Sequence, residues 1–325
     1  MARVLQEKFF KWLQTDQYGL LKTISQYDCL SIQFSESENS NSELKVYFKG
    51  CLILTISDKI VDNDKLTFEE LADSYYKKEP NANRITEIVN KGVSISNLEE
   101  YLDCVIGFLS RRNNDGSEKD IRQRITYVNN RGPEATSTDY FVIAEEYQIE
   151  NESRFDLVTL RWRSDGNIRK NFSSKQSDLE IVIFELKRGI KAIKDLKKHS
   201  TDFMNLISND EKVSKFKLDI IKMFVQQASL KGFFNTEIKC MKYVELLSTT
   251  EREKEIEDIA TKIPVKFGII ISDYNQDSTG LKEEIEKIQD DFLFARSSFM
   301  GYGLYKESMG NRQDLLRILN EHHNS

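Results

Sequence analysis

The chain contains few of the residues that form zinc sites and disulfide frameworks. Its four cysteines are far apart and form no CxxC pair: Cys29, Cys51, Cys104 and Cys240. A structural zinc site and a disulfide framework are therefore both excluded as organising features. Of the three histidines, only His199 lies in the body of the chain, which rules out a histidine-rich metal site. Any metal ion must then be held mainly by oxygen ligands.

Long apolar runs are also missing. No stretch approaches the roughly 18 apolar residues of a membrane span, and the N-terminal sequence MARVLQEKFFKWLQ lacks the apolar region of a signal peptide. These absences predict a cytoplasmic protein without a membrane partner. The 325 residues, 39% of them hydrophobic and 31% charged, predict about two globular domains.

The net charge of −6 argues against a protein coated in positive charge, but the charge is unevenly distributed. Residues 154–198 contain twelve basic and six acidic side chains, so this window carries +6 and the rest of the chain −12. A positive cluster of this kind is typical of a cleft that binds a polyanion. A solvated helix face at 188–198 would give the same pattern, so charge alone leaves both interpretations open.

Residues 1–115 predict a small α+β module. One or two helices fall within residues 5–25, and a helical region at 67–112 is broken near Pro80. Between them, three apolar and β-branched segments predict strands: Cys29–Phe34, Leu44–Phe48 and Leu52–Ile56. Gly50 marks a tight turn between the second and third strands. The module contains no catalytic constellation, which favours a role in targeting or partner binding.

The run NNDGS at Asn113–Ser117 is the best boundary signal, and it predicts a second domain over 116–325. Ser117 is positioned to cap a helix at Glu118–Val128. The later predicted strands are Tyr140–Gln148, 155–160, 179–186 and Ile263–Ser272, and the later predicted helices are Lys191–Ile207, Lys212–Leu230 and Gly280–Ile288. We expect these four strands to form one sheet, separate from the strands of the N-terminal module.

Two of these strands carry the most informative residues of the chain. Asp156 lies at the head of FDLVTL, and Glu185 and Lys187 lie at the end of LEIVIFEL and just beyond it. Because side chains alternate along a strand, Glu185 and Lys187 point to the same face, and pairing of the strands would bring Asp156 beside them. Two carboxylates can hold a hard divalent cation, and a neighbouring lysine can steady a phosphate or orient a water. A salt-bridged strand end is the structural alternative.

This arrangement resembles the PD-(D/E)xK nuclease superfamily. Residues 118–202 are similar to a bacterial PD-(D/E)xK subfamily with a strand-rich N-terminal module. The matching residues are Arg122-Gln123, Asn129-Asn130, Asp139-Tyr140-Phe141, Glu146-Tyr147, Arg154-Phe155-Asp156, Glu185-Leu186-Lys187, His199 and Asp202. The resemblance implies an α/β fold, in which the α+β module precedes a restriction-endonuclease-like core with a central mixed sheet flanked by helices.

The resemblance also implies a ligand set and a cofactor. Asp156 and Glu185 would bind Mg²⁺ or Mn²⁺, and Lys187 would stabilise the attacked phosphate or the nucleophilic water. The superfamily often adds a glutamate from the preceding helix, for which Glu118 is the candidate. An acid in the first helical turn is equally favoured by the helix dipole alone. Glu146, on the strand next to Asp156, is either an auxiliary ligand or an exposed strand acid.

Further residues are predicted to contact the substrate. Gln123 is a candidate to hydrogen-bond the nucleic-acid backbone, and His199 either touches phosphate or is a buried, satisfied histidine. The basic residues expected to bind the backbone without reading sequence are Arg154, Arg188, Lys191, Lys194 and Lys198.

The predicted function is metal-dependent hydrolysis of phosphodiester bonds, with DNA favoured over RNA because the superfamily mostly cuts DNA. Two alternatives stay open. One is a nucleic-acid-binding or protein-interaction module that keeps the fold without turnover. The other is a subunit of a larger restriction or phage-defence assembly that is inactive until a partner binds. Its partner would be a defence-system protein, or a second copy of this chain in a homo-oligomer.

Overall fold

The computed structural model describes residues 4–15, 19–36, 42–57, 67–77, 82–111, 116–149, 153–161, 179–188, 195–230, 253–272, 279–288, 290–297 and 301–323. The chain divides into two compact units. The N-terminal unit extends to Gln123 and includes a segment that begins at Ser229, and the C-terminal unit holds Arg124–Ala228 and the remaining residues. The boundary predicted at residue 115 lies outside the described residues, and the division falls inside a helix, Glu118–Asn130.

The N-terminal unit contains an antiparallel four-stranded sheet with the strands in sequence order. Its strands are β1 (Leu30–Glu36), β2 (Ser42–Phe48), β3 (Cys51–Ser57) and β4 (Thr67–Glu70), and its helices are α1 (Glu7–Thr15), α2 (Leu20–Ser25), α3 (Asn83–Lys91), α4 (Leu98–Ser110) and the start of α5 (Glu118–Asn130). The three predicted strands are confirmed. The prediction of helix from residue 67 is wrong, because pairing with β3 makes TFEE a strand.

The turn between β2 and β3 has two residues, Lys49 and Gly50. Both have positive φ, 48° and 72°, as a type I′ hairpin turn requires, and Phe48 pairs directly with Cys51. A Cβ on Gly50 would overlap the Lys119 side chain and lie 3.1 Å from its carbonyl carbon. Glycine therefore allows the turn to approach the first turn of α5, where the Asp120 N–H donates to Ser117 Oγ and confirms the predicted cap.

The C-terminal unit contains a six-stranded sheet in the order β10-β9-β8-β7-β6-β5. Its strands are β5 (Tyr140–Ile149), β6 (Ser153–Arg161), β7 (Glu180–Arg188), β8 (Val265–Ser272), β9 (Leu293–Ser297) and β10 (Gly310–Asn311). Its helices are α6 (Leu196–Ile207), α7 (Asp210–Ala228), α8 (Glu253–Lys262), α9 (Thr279–Glu286) and α10 (Arg312–His323). The four predicted strands are confirmed, and they share this sheet without any strand of the N-terminal unit.

The sheet is mixed, which confirms the α/β class. Strands β5, β6 and β7 are antiparallel neighbours, whereas β7, β8 and β9 run parallel. Strand β7 lies in the interior of the sheet, and the side chains from Ile181 to Phe184 are 0% exposed. The polar residues at the end of this strand therefore lie where the apolar core meets the carboxyl edge of the parallel strands, the edge at which open α/β sheets bind ligands.

A bulge in β5 is held by two buried amides. The register with β6 shifts between Val142 and Ala144. Asn130 donates to the Val142 carbonyl at 2.6 Å and accepts from the Val142 N–H at 2.8 Å. Gln227 donates to the Ile143 carbonyl at 2.7 Å. The backbone groups exposed by the bulge are thus satisfied by side chains from α5 and α7.

Substitution of Gly50 by alanine should destabilise the N-terminal unit more than the same change at Gly19. Both glycines have similar φ, 72° and 69°, but the space around Gly19 is open. Each change adds the left-handed penalty of about 1–2 kcal/mol, and Gly50→Ala adds about 1–3 kcal/mol of overpacking against Lys119. Urea unfolding of the two variants measures the difference. Equal losses would mean that α5 moves away from the turn without cost.

Candidate active site

Asp156 and Glu185 lie on the same face of the sheet, beyond the last pair of the β6–β7 ladder. That last pair is Leu157 with Phe184, and one further step in the antiparallel register sets Asp156 opposite Glu185. These two residues form no ladder pair, and Asp156 Oδ2 accepts a hydrogen bond from the Leu186 N–H at 2.9 Å. The carboxylate of one strand therefore binds the backbone of the next, beside the Glu185 side chain.

The Glu185 carboxylate is buried and contacts two basic side chains. Its residue is 3% exposed. Lys187 Nζ lies 2.8 Å and His199 Nε2 3.0 Å from the same oxygen, Oε1. The other oxygen, Oε2, is buried and has no hydrogen-bond partner among the described residues, and the same holds for His199 Nδ1. The carboxylate is therefore unevenly coordinated, with both basic groups at one oxygen.

Burial raises the pKa of Glu185 above its ordinary value. The hydrogen bond from His199 opposes this rise, the negative charge of Asp156 adds to it, and the positive charge of Lys187 opposes it. The contribution of Asp156 indicates that the two carboxylates are close enough to interact electrostatically. A buried carboxylate with a raised pKa and specific charged neighbours is a frequent feature of functional sites.

Helix α6 brings His199 to Glu185. Its buried residues are Leu196, Ser200, Phe203 and Leu206. The Phe203 ring packs against Phe267 on β8, with centroids 5.5 Å apart. Because residues four apart share one side of a helix, packing of Phe203 on the sheet also turns His199 toward it. His199 was predicted to touch phosphate or to be satisfied internally, and its observed contact is with the carboxylate.

Glu146 and Arg154 contact each other. Arg154 Nη2 lies 2.6 Å from Glu146 Oε1, and the side chains are 57% and 32% exposed. The predicted auxiliary ligand and the predicted phosphate-binding arginine thus form an ion pair at the edge of the site. Glu118 lies in the first turn of α5, where its role as a further metal ligand stays a prediction.

Gln123 has a different role from the predicted contact with the substrate backbone. Its side chain is buried, and its amide nitrogen donates to the carbonyls of Cys29 and Tyr47 at 2.7 and 3.0 Å. Its amide oxygen accepts from the Gly50 N–H at 2.7 Å. Both ends of the amide therefore join α5 to the sheet of the N-terminal unit, and we correct the prediction accordingly.

The predicted nucleic-acid-binding residues are only partly described. Arg188, the last residue of β7, and Lys198 on α6 are exposed. Lys191 and Lys194 lie outside the described residues. Two contacts were not predicted from the sequence, that of the Leu186 N–H with Asp156 and that of His199 with Glu185. The four-residue spacing of His199 and Phe203 within an amphipathic helix was a usable signal for the second contact.

In the described part of the chain, no group of three or more histidine, cysteine, aspartate or glutamate side chains is arranged to hold a metal ion. Asp156 and Glu185 nevertheless supply the donor type that Mg²⁺ prefers, because protein-bound Mg²⁺ often uses one or two carboxylates and retains several waters. The partnerless Oε2 of Glu185 is a suitable donor atom. The residues present therefore fit a magnesium or manganese ion.

No protein-family model, curated protein or solved structure matches this chain. Among the described residues, every helix is too short or too polar to cross a membrane.

The pKa of Glu185 should respond with opposite signs to changes in its two neighbours. Asp156→Asn should lower it, because a negative charge is removed, and His199→Ala should raise it, because a hydrogen bond to the carboxylate is lost. Titration of the Glu185 carboxyl carbon by NMR in metal-free protein measures both shifts. Lys266→Ala is the control, because Lys266 on β8 contacts Glu180 at the other end of β7, and it should leave the value unchanged.

The same pKa has a consequence for stability. Since the native pKa is raised, this group favours folding below its unfolded pKa of about 4.3, and that contribution is lost as the pH rises through the native pKa.

In the NMR titration, failure of Asp156→Asn to lower the pKa of Glu185 would show that the two carboxylates do not interact.

Proposed function

We propose that the C-terminal unit is a metal-dependent nuclease that hydrolyses phosphodiester bonds, with DNA as the favoured substrate. The observation that carries this proposal is the uneven coordination of the Glu185 carboxylate. A buried ionised group is costly unless its charge and its hydrogen-bonding capacity are satisfied. Here one oxygen is crowded by two basic groups, and the other has no hydrogen-bond partner among the described residues and is available to a ligand.

A second buried glutamate on the same strand provides an internal comparison. Glu180 has a cationic nitrogen at each oxygen, with Lys266 Nζ 2.8 Å from Oε2 and Arg161 Nη1 3.1 Å from Oε1. The Arg161 contact is an ion pair without the angles of a hydrogen bond. Glu180 therefore has the balanced surroundings of a structural ion pair. Glu185, with a neighbouring carboxylate and a bare oxygen, has the surroundings of a ligand-binding group.

Asp156 and Glu185 are the residues that would hold Mg²⁺ or Mn²⁺. When bound, such an ion would neutralise charge on the phosphate and lower the pKa of a water molecule. The Asp156 carboxylate is already oriented by the Leu186 N–H. A site on rigid strands with ligands oriented by backbone hydrogen bonds retains its geometry better than one on loops.

Lys187 is the residue expected to act on the substrate itself. Its side chain is about 10% exposed and lies against Glu185, so the ammonium group is held at the site. A fixed positive charge beside the scissile phosphate stabilises the negative charge that develops in the transition state. His199 positions the Glu185 carboxylate through Nε2.

The exposed basic residues near the site support a polyanionic substrate. Arg188 follows Lys187 on β7, and Lys198 lies next to His199 on α6. Side chains of this kind bind phosphates without reading bases. The preference for DNA rests on the resemblance to the PD-(D/E)xK superfamily, and substrate specificity is expected to reside elsewhere in the protein or in a partner.

Lys187→Ala should reduce metal-dependent cleavage by about two to three orders of magnitude, because a catalytic charge of this kind contributes about 3–4 kcal/mol to transition-state stabilisation. The matched control is Lys266→Ala, which removes a lysine from the other buried glutamate of β7 and should leave cleavage unchanged. Cleavage of single- and double-stranded DNA and RNA in Mg²⁺ or Mn²⁺ measures the effect. Equal cleavage by wild type and Lys187→Ala would place the active site elsewhere.

Binding should be affected less than cleavage. In Ca²⁺, Lys187→Ala should retain most of its affinity for nucleic acid, because the remaining basic residues still contact the backbone. Affinity should fall steeply with added salt, as counterion release requires. Salt-sensitive binding without cleavage, with candidate partner proteins present, would identify a binding module in place of an enzyme.

A further inference from the structure

We propose that Glu146 is a positioning residue whose left-handed backbone keeps the β5–β6 ladder open opposite Asp156, so that Asp156 reaches the Leu186 N–H. This inference rests on the proposed function, in which Asp156 is a metal ligand. Glu146 acts through its backbone and its ion pair with Arg154. The sequence predicts a different role, that of a direct metal ligand.

Asp156 lies at a gap in the β5–β6 ladder and just beyond the last pair of the β6–β7 ladder. Glu145 pairs with Leu157 and Tyr147 pairs with Phe155 in one register, whereas Glu146 and Asp156, which this register sets opposite each other, do not form a ladder pair. On the other side, the β6–β7 pairs end at Leu157 with Phe184. Without a ladder pair on either side, the backbone at Asp156 can depart locally from regular strand geometry.

The conformation of Glu146 accounts for the first interruption. Its φ is +49°, and Lys49 in the β2–β3 turn is the other non-glycine residue with positive φ among those described. Lys49 has an evident reason, since a two-residue hairpin turn requires this conformation. No turn is present at Glu146, which lies inside β5. A left-handed residue costs about 1–2 kcal/mol and persists only where the surroundings impose it.

The surroundings of Glu146 hold it on both sides. Its carboxylate is paired with Arg154 at 2.6 Å, and Arg154 is two residues before Asp156 on β6. Toward the start of β5, the bulge is fixed by Asn130 and Gln227. Both ends of the segment are thus anchored by contacts other than ladder hydrogen bonds. The consequence is a strained backbone directly across from a carboxylate that binds the next strand.

Two substitutions separate the backbone effect from the loss of the ion pair. Glu146→Val and Glu146→Asn both remove the contact with Arg154, but valine strongly disfavours positive φ whereas asparagine tolerates it. In Glu146→Val the ladder should close and withdraw Asp156 from Leu186. Amide hydrogen exchange at Leu186 should then become about tenfold faster or more, and Glu146→Asn should remain close to wild type.

Three controls make the exchange measurement specific. The Ile181 N–H, also on β7, donates to the Pro264 carbonyl at 3.0 Å and should keep its protection unless the whole unit is destabilised. Lys49→Val imposes the same conflict at the turn of the N-terminal unit and should not change exchange at Leu186. Asp156→Ala removes the acceptor directly and should reproduce the effect of Glu146→Val.

In an active protein, Glu146→Val should lower kcat by about ten- to a hundredfold with little change in KM, because misplacement of a catalytic group affects the chemical step. The separate variant Glu146→Asn should retain most of the wild-type rate.

Unchanged Leu186 protection in Glu146→Val would overturn the inference. If that variant does not fold, Glu146→Thr decides, since threonine is also β-branched and disfavours the left-handed region, and Leu186 should lose protection there too. Faster exchange at Leu186 in Glu146→Val, together with no cleavage by the wild-type protein, would support the positioning role and overturn the nuclease function.

Discussion

The burial of the Glu185 carboxylate is the constraint on which the candidate site depends. An ionised group at the end of an otherwise apolar strand requires compensation, and two elements supply it. Strand β7 itself contributes Lys187 and α6 contributes His199, whereas Asp156 on β6 adds a second negative charge. The compensation is incomplete, because one oxygen has no partner among the described residues. In the proposed function, this oxygen is the position that a cation would occupy.

The mixed sheet determines where these groups meet. Antiparallel pairing of β6 and β7 sets Asp156 across from Glu185, whereas parallel pairing of β7 and β8 leaves the carboxyl ends of the strands at a common edge. The helix that follows β7 can then cover this face, with Phe203 packed on Phe267 and His199 near the edge. The change from antiparallel to parallel pairing at β7 thus places acidic, basic and imidazole groups together without any of them lying in a loop.

The sequence predicts those parts of the fold that depend on local pattern. Strands β6, β7 and β8 were recognised because each is a continuous apolar and β-branched run, and the common face of Glu185 and Lys187 follows from the period of two. Strand β4 was missed, since TFEE has little apolar character and becomes a strand only through pairing with β3. The bonds of Gln123 were missed for a related reason, because its acceptors on β1 and β2 are distant in sequence. The positive φ of Glu146 runs against the backbone preference of glutamate, so the local sequence pattern does not predict it.

The two buried glutamates of β7 show why charge balance, more than burial, distinguishes a site from a structural ion pair. Glu180 and Glu185 are an odd number of residues apart and so face opposite sides of the sheet, roughly 16 Å apart along the strand. Both are at most 3% exposed, and both contact lysine. Glu180 has a basic group at each oxygen, whereas Glu185 faces a second carboxylate and has both of its basic partners at one oxygen. Stability alone gives no physical reason for the second arrangement, because apolar packing of the same volume would serve the fold as well. An added cation is the simplest element that would satisfy both carboxylates at once.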